Sequence, residues 1–410
     1  MTHSLLQRAL AWGLAVLVLL GLAGAALAQP AEVKIALIGP LSGPWARQGA
    51  LMRLGAEMAV DTINAQGGIQ SLGGARLRLV IQDAGDSAEK AKNAAQRLVA
   101  QEPDLVGGMG AWLSSFTLAV TEVTERARLP WITLSYSDLI TERGFRYVFQ
   151  TSPTGGTQAR NALPTLLDLA ESATGRRPRT AAIISDNTAA PLSFAKPMRE
   201  GGFERLGVKL LVDEIFTPPL SDATPLVQKV RSARPDFLLL LATSVPDDTL
   251  ILQKLNEFGL TARRLPRIGN GAHLGVPELL QTVGPELLEG LLSIVANWPG
   301  KGHEALVAAF RERTGEPWMT QDSLSLYGAV WILKEALERA GVAERDAVAQ
   351  AIREMDTTSG PAHYFPGGRV KFEANGRRAG APVVVFQWQN SVPVTVYPPE
   401  MAVAKPYWTQ

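Results

Sequence analysis

The sequence predicts an α/β protein of two doubly wound parallel-sheet (Rossmann-like) lobes joined by a three-segment hinge. Three observations predict it. Strand-like and helix-like segments alternate from Val33 to Leu134. A second run of the same alternation extends from Thr180 to Ala296. A block of helices and a terminal pair of strands then follow. Regular β-α alternation is the pattern of a parallel sheet covered by helices on both faces.

The first unit organises the chain. Val33–Ile38 alternates and is rich in β-branched residues, so it reads as a strand. Gly39 to Pro44 is a turn-rich loop. From Arg47 to Asn64 the residues Leu51, Leu54, Met58, Ala59 and Ile63 form one apolar stripe at helical spacing, and Gly67-Gly68 stops the helix. Loops of this kind lie where open α/β sheets bind ligands. Leu77–Gln82 follows as a strand, Ser87–Gln101 as a helix capped by Ser87, and Leu105-Val106 as a short buried strand ended by Gly107-Gly108-Met109-Gly110. Ser114–Ala127 and Pro130–Leu134 complete the first run.

In the second run, strands are expected at Ala181–Ser185, Lys209–Phe216, Phe237–Leu241, Pro266–Gly269 and Gly290–Ala296. Helices fall between them at Leu192–Leu206, Asp222–Arg234, Pro246–Phe258 and Val276–Val283. Glu304–Arg313, Ser323–Ala340 and Ala343–Glu354 are helices without a sheet of their own, and Ala381–Gln389 with Pro393–Tyr397 forms an antiparallel pair. Helices cannot bury apolar stripes without a partner layer, so the block is expected to cross back to the first sheet. Hinges are placed near Phe149–Thr154, Ile294–Trp298 and His363–Val370. The expected division is 1–28 signal, 29–151 and 295–362 first lobe, 152–294 and 363–410 second lobe.

The first 28 residues are expected to be removed. Arg8 gives a positive flank, Ala9–Leu22 is almost wholly apolar, and Ala26-Leu27-Ala28 has the small-x-small pattern of a signal peptidase site. A membrane anchor is the competing reading, and the Ala-x-Ala end followed by Gln-Pro fits cleavage after Ala28 better. The chain has no Cys, so it has neither a disulfide framework nor the lipidation site of a lipoprotein. The expected protein is exported to the periplasm and untethered. Its 40 basic residues balance 39 acidic ones with no basic tract, which argues against nucleic acid or an anionic membrane as partner.

Catalytic and metal signals are weak. The four His are scattered, and no Cys, H-x-x-x-H pair or D-x-D-x-D-G loop accompanies them. No G-x-S-x-G elbow is present. Gly269-Asn270-Gly271-Ala272-His273-Leu274-Gly275 loosely imitates a dinucleotide fingerprint, but its spacing is wrong and no acidic residue follows at the right distance, so it reads as a plain βα loop. No metal or cofactor is expected. Ser114-Ser115-Phe116-Thr117 is more informative, because it follows a Gly-rich strand end and opens a helix, where free N–H groups and hydroxyls suit a carboxylate or phosphate. Simple helix capping is the alternative use of these serines. The loop Ser135-Tyr136-Ser137-Asp138 is equally hydroxyl-rich, and both lie on the same sheet edge as Ser42–Gln48.

These segments together resemble the periplasmic ligand-binding proteins of ABC importers, of the leucine/isoleucine/valine-binding type (type I periplasmic binding proteins). The motifs are IGPLSGPWARQG (Ile38–Gly49), INAQGGI (Ile63–Ile69), the acidic turn at Gln82-Asp83, GAWLSSFT (Gly110–Thr117) and SYSDLITERGFRYVFQTSP (Ser135–Pro153). The resemblance covers nearly all of the mature chain. It implies a ligand held between two lobes, with its carboxylate on first-lobe groups matching Ser114, Ser115, Ser135, Tyr136 and Ser137. Trp45 and Gln48 stand in the mouth loop. In the second lobe the family's Asp-x-x-x-Tyr-Gly is here Asp186-Asn187-Thr188-Ala189-Ala190-Pro191, without the Tyr. Asn270 stands where amino-acid-binding members place an acidic residue for the ammonium. Asn187, Thr243, Ser244 and Asn270 are the expected neutral contacts.

The resemblance implies a non-catalytic, monomeric receptor that captures an amino acid or a related small carboxylate or amide and delivers it to ABC permease subunits. The missing acidic residue favours an organic acid, an aromatic carboxylate or an amide over a free α-amino acid. A sensory module of the same fold and an exported α/β hydrolase are the rival readings.

Overall fold

The computed structural model describes residues 32–408. The signal segment expected at 1–28 lies outside the described residues. Strands are numbered β1 Glu32–Gly39, β2 Arg76–Asp83, β3 Gly107–Gly110, β4 Trp131–Thr133, β5 Val148–Gln150, β6 Thr180–Asp186, β7 Lys209–Phe216, β8 Phe237–Leu241, β9 Arg267–Asn270, β10 Leu292–Val295, β11 Asp356–Thr357, β12 Val370–Lys371, β13 Val384–Gln389 and β14 Val392–Tyr397. The first sheet has the order β2-β1-β3-β4-β5 and is parallel throughout. The second has the order β14-β13-β10-β9-β8-β6-β7, parallel except for β13 and β14. Each sheet reverses its winding once, between β1 and β3 in the first and between β6 and β8 in the second. Crevices open at the carboxyl ends of strands at such reversals.

The principal helices are α1 Ala46–Ala65, α2 Ala88–Gln101, α3 Ser114–Arg126, α4 Gly155–Thr174, α5 Ala189–Pro197, α6 Thr224–Ala233, α7 Val245–Glu257, α8 Pro277–Val283, α9 Glu304–Thr314, α10 Gln321–Ala340 and α11 Arg345–Arg353. The returning helix α10 packs on α1, and its Leu324, Val330, Leu333 and Leu337 join one core with Ile35, Leu37 and Met109 of the first sheet. Gly55 sets the approach of the two helices. A Cβ there would lie 2.0 Å from the Ser323 carbonyl oxygen, and Ser323 Oγ donates to the Leu51 carbonyl at 2.8 Å. Among the described residues no helix is long and apolar enough to cross a membrane.

Several expectations are corrected. The third strand is Gly107–Gly110 itself, not Leu105-Val106. Its glycines are packing residues, since a Cβ on Gly108 would strike the Trp131 ring at 2.3 Å and one on Gly107 the Leu333 side chain at 2.8 Å. Val148–Gln150 is a fifth strand, overlapping the segment expected as a hinge, and the 20-residue helix α4 follows a Thr154 cap where no element is expected. Gly155-Gly156 and Pro164 hide that helix from propensity. The helix expected over Leu192–Leu206 is interrupted: α5 ends at Pro197, a wider turn spans Met198–Gly202 with a kink where Gly201 takes a φ of 84°, and one helical turn resumes at Phe203–Arg205.

The third crossing is also displaced from His363–Val370. Phe365, Val370 and Phe372 belong to the first-lobe core, so the chain crosses after Arg378. Arg378 is buried there and donates to the carbonyls of Thr151, Pro366 and Arg369 at 2.8, 2.9 and 3.1 Å. Its own N–H donates to the Gln150 carbonyl at 2.8 Å, so the first and third crossings are stitched together.

Gly55→Ala is expected to destabilise the fold by about 1–3 kcal/mol, because the backbone of Ser323 has to move away. Urea unfolding of the variant against the parent chain measures it. Arg378→Ala is expected to cost about 2–4 kcal/mol in the same assay through lost buried hydrogen bonds.

Candidate functional site

The carboxyl ends of the two sheets face each other across a small cavity. Its first-lobe wall comes from the loops after β3 and β4: Trp112, Leu113, Ser114, Leu134, Ser135 and Tyr136. Its second-lobe wall comes from the loops after β6, β8 and β9: Ala190, Pro191, Thr243, Asn270 and the turn Gly271-Ala272-His273. Gln321, at the start of α10, closes the floor.

Ser114 opens α3, whose N-cap position is Leu113 and carries no side-chain cap. The first N–H groups of the helix are therefore not satisfied by a capping side chain, and the helix dipole places partial positive charge there. Ser114 Oγ accepts the N–H groups of Tyr136 and Ser137, each at 3.1 Å. Both lone pairs are then used, and the hydroxyl proton remains to donate. Ser135 is committed within the wall: its Oγ donates to the Trp112 carbonyl at 2.6 Å and lies 2.7 Å from Thr117 Oγ1. Tyr136 donates its phenol to Gln321 Oε1 at 2.7 Å and accepts from the Ala296 N–H at 3.3 Å. Burial pushes its pKa well above the usual phenol value. Tyr136 thus ties the cavity wall to the second crossing.

The remaining expected residues stand around the cavity rather than in its lining. Ser115 is half-buried on the next position of α3. Ser137 Oγ accepts from Ser193 Oγ at 3.2 Å, a bond between lobes. Trp45 is buried, packs edge-on against Phe116 at 5.5 Å, and donates Nε1 to the Thr243 carbonyl at 3.2 Å. It bridges the lobes at the mouth. Gln48 is buried with its Nε2 unpartnered. Ser244 caps α7 by accepting from the Asp247 N–H. Asn187 is exposed, and its amide donates to Thr217 Oγ1 at 2.8 Å, outside the lining.

In the second lobe, Thr243 and Asn270 reach the cavity. Thr243 Oγ1 donates to Asp186 Oδ2 at 2.5 Å. Asn270 Nδ2 donates to Gln158 Oε1 at 2.7 Å and to the Ile294 carbonyl at 2.9 Å. The carbonyl partner fixes the amide orientation, so Asn270 Oδ1 is the free end.

Sequence reasoning missed Trp112, His273, Asp248 and Asp322. Trp112 has a φ of 73°, a left-handed conformation that costs a bulky residue about 1–2 kcal/mol. Its Nε1 donates to Asp322 Oδ1 at 2.8 Å, which holds the indole in the wall. His273 stands opposite, edge-on to that indole at 6.3 Å. Its Nε2 is 3.0 Å from Asp248 Oδ2, close enough for an ion pair though not aligned for a hydrogen bond. Among the described residues no group of three or more such side chains converges as metal ligands do.

The sequence matches the periplasmic binding protein family over residues 32–392. The chain belongs to the periplasmic binding protein family. Among curated relatives, Leu/Ile/Val-binding protein homolog 7 of Brucella melitensis biotype 1 is 30% identical over 94% of this chain and 96% of the relative. Homolog 8 of the same organism is 29% identical over 92% and 93%. Among solved structures, the leucine-binding protein LivK of Thermotoga maritima superposes with a TM-score of 0.75 at 22% identity, covering 88% of this chain and 97% of that one. A solute-binding protein of an ABC transporter from R. palustris, in complex with benzoate, gives 0.74 at 17% identity over 92% and 99%. These neighbours share the two-lobed fold.

The interior electrostatics of this binding protein are unusual. Burial raises the pKa of Asp186, Asp248 and Asp322, the last to about 7. Burial works to lower that of His273, but Asp248, Asp322 and Asp186 together outweigh it and the net shift is upward. A carboxyl with a raised folded pKa stabilises the fold at low pH and loses that contribution as pH climbs through it. A histidine with a raised pKa does the same, so both act in one direction. Between about pH 4 and pH 7, the span from the ordinary to the shifted Asp322 value, these groups are expected to make the folded protein less stable as pH rises. Asp322→Asn is expected to flatten that slope in urea unfolding repeated across the window.

Proposed function

We propose that this chain is the periplasmic solute receptor of an ABC importer and captures a small carboxylate between its lobes. The observation that carries the reading is the uncapped start of α3, with the spare Ser114 proton, opening into a cavity walled by both sheets. Helix N–H groups, a hydroxyl donor and exclusion from water suit a carboxylate. Apolar walls from Leu134, Pro191 and Ala272 suit a compact aliphatic or aromatic body. The solved relatives include proteins in complex with isoleucine, leucine, benzoate and 3,4-dihydroxybenzoic acid, all small carboxylates.

In this reading the mature protein begins at Gln29, is an untethered monomer, and acts by binding without turnover. Contacts between lobes describe the closed form: Trp45 to Thr243, Ser193 to Ser137, and Arg47 to Glu278 at 2.8 Å. Ligand favours closure by its greater affinity for that form, and membrane permease subunits receive the closed receptor.

Isothermal titration of the mature protein against amino acids, aliphatic acids and benzoates tests the reading. At least one is expected to bind with a Kd of about 1 μM or tighter. Ser114→Ala is expected to weaken that ligand by about 10–100-fold, since a donor to a charged group is lost. An unchanged affinity removes the assigned anion site.

A further inference from the structure

The second-lobe wall has its own pattern of unused hydrogen-bonding capacity. Asn270 spends both amide protons on Gln158 and Ile294, and Thr243 spends its proton on Asp186. What they have left for the cavity is acceptor capacity at Asn270 Oδ1 and Thr243 Oγ1. His273 has the opposite surplus. Its Nε2 faces the fully buried Asp248, and the charged groups acting on Asp248 are His273, which favours the carboxylate, and Asp247 and Asp186, which oppose it. Burial opposes a charge on either partner, so the pair is neutral overall, with one proton held in the 3.0 Å contact between His273 Nε2 and Asp248 Oδ2. Whichever partner holds that proton, the ring carries its other proton on Nδ1. That nitrogen is left uncovered by Gly271, whose missing Cβ would lie 2.6 Å from it.

We propose that His273, Asn270 and Thr243 form a second polar subsite that takes a neutral group able both to donate and to accept, a hydroxyl or a primary carboxamide, carried on the bound carboxylate. A methyl group leaves all three unpaired. An ammonium supplies donors but no acceptor for the His273 Nδ1–H. The inference rests on the proposed capture of a small carboxylate and names its class: hydroxy acids or amide-bearing acids, ahead of their unsubstituted parents and of simple α-amino acids. Asp248 is a positioning residue that acts through His273.

The test is isothermal titration of the mature chain with benzoate, 3-hydroxybenzoate, 4-hydroxybenzoate, 4-carbamoylbenzoate and leucine. The best of the hydroxyl or amide acids is expected to bind about tenfold or more tighter than benzoate, and leucine more weakly than that acid. The two kinds of substituent separate the hydroxyl from the amide source. Benzoate or leucine as the tightest ligand overturns the inference while leaving carboxylate capture standing. Absence of binding by all five overturns the inference, and binding of none of the wider panel of amino acids, aliphatic acids and benzoates overturns carboxylate capture as well. In His273→Phe, which keeps a ring against Trp112, the preference over benzoate is expected to fall to within about threefold. Asp248→Asn keeps the shape and removes the charge, and is expected to lower the same ratio. A preference that survives in whichever variant circular dichroism shows to be folded overturns the assignment of His273.

Discussion

A helix that starts without a capping side chain leaves backbone N–H groups in need of acceptors, and in this protein the helix is α3 and the place is the cavity. Leu113 in the cap position supplies no acceptor. Ser114, which caps in many helices, turns its oxygen instead to the Tyr136 and Ser137 N–H groups. That choice does two things together. It anchors the loop after β4 to the start of α3, and it leaves the helix N-terminus and one hydroxyl proton at the cavity without a capping partner. The Ser135, Thr117 and Trp112 contacts then hold the loop's shape, and Tyr136 carries the wall across to the second crossing.

Closure is built from elements far apart in sequence. The mouth loop after β1 is pinned by Asp83, which accepts from the Leu41 N–H, Ser42 Oγ and the Gly85 N–H. Those bonds hold its carboxyl below the usual range although burial works to raise it. The pinned loop delivers Trp45 to the Thr243 carbonyl and Arg47 to Glu278 and Glu316. Trp318 reaches into the second lobe, donating to the Gly275 carbonyl at 2.7 Å. Such contacts are made across the cleft and hold the two lobes together, while Arg378 and Asn297 tie the crossings to one another. The same cleft buries Asp322 and Asp248 with few partners, and that burial raises their pKa values.

Much of the fold was legible because its signals are local. Lys209–Phe216 and Phe237–Leu241 are strands over the predicted residues, since β-branched and leucine-rich runs bounded by turns need no distant information. Glycine defeated the same reasoning at Gly107–Gly110 and at Gly155-Gly156. In both places the residue was chosen for close packing, against Leu333 and Trp131 in one and Phe194 in the other. The site divided in the same way. Ser114 could be read from its place between a strand end and a helix. His273 looked like part of a plain βα loop because its partner Asp248 comes from the preceding helix, α7, and Trp112 from the other lobe.

By itself the sequence determined the two runs of β-α alternation, the returning helices and the polar loops at strand ends. Periodicity, turn chemistry and burial of apolar stripes act within a few residues of one another. Only the tertiary structure decided which of those loops meet. Winding reversals bring the ends of β1 and β3 opposite those of β6 and β8, and the packing of the lobes gathers separate hydroxyl, amide, imidazole and carboxyl groups around one cavity. Their protonation and their spare hydrogen bonds depend on burial and on partners from other segments, so they exist as a site only after the lobes have packed.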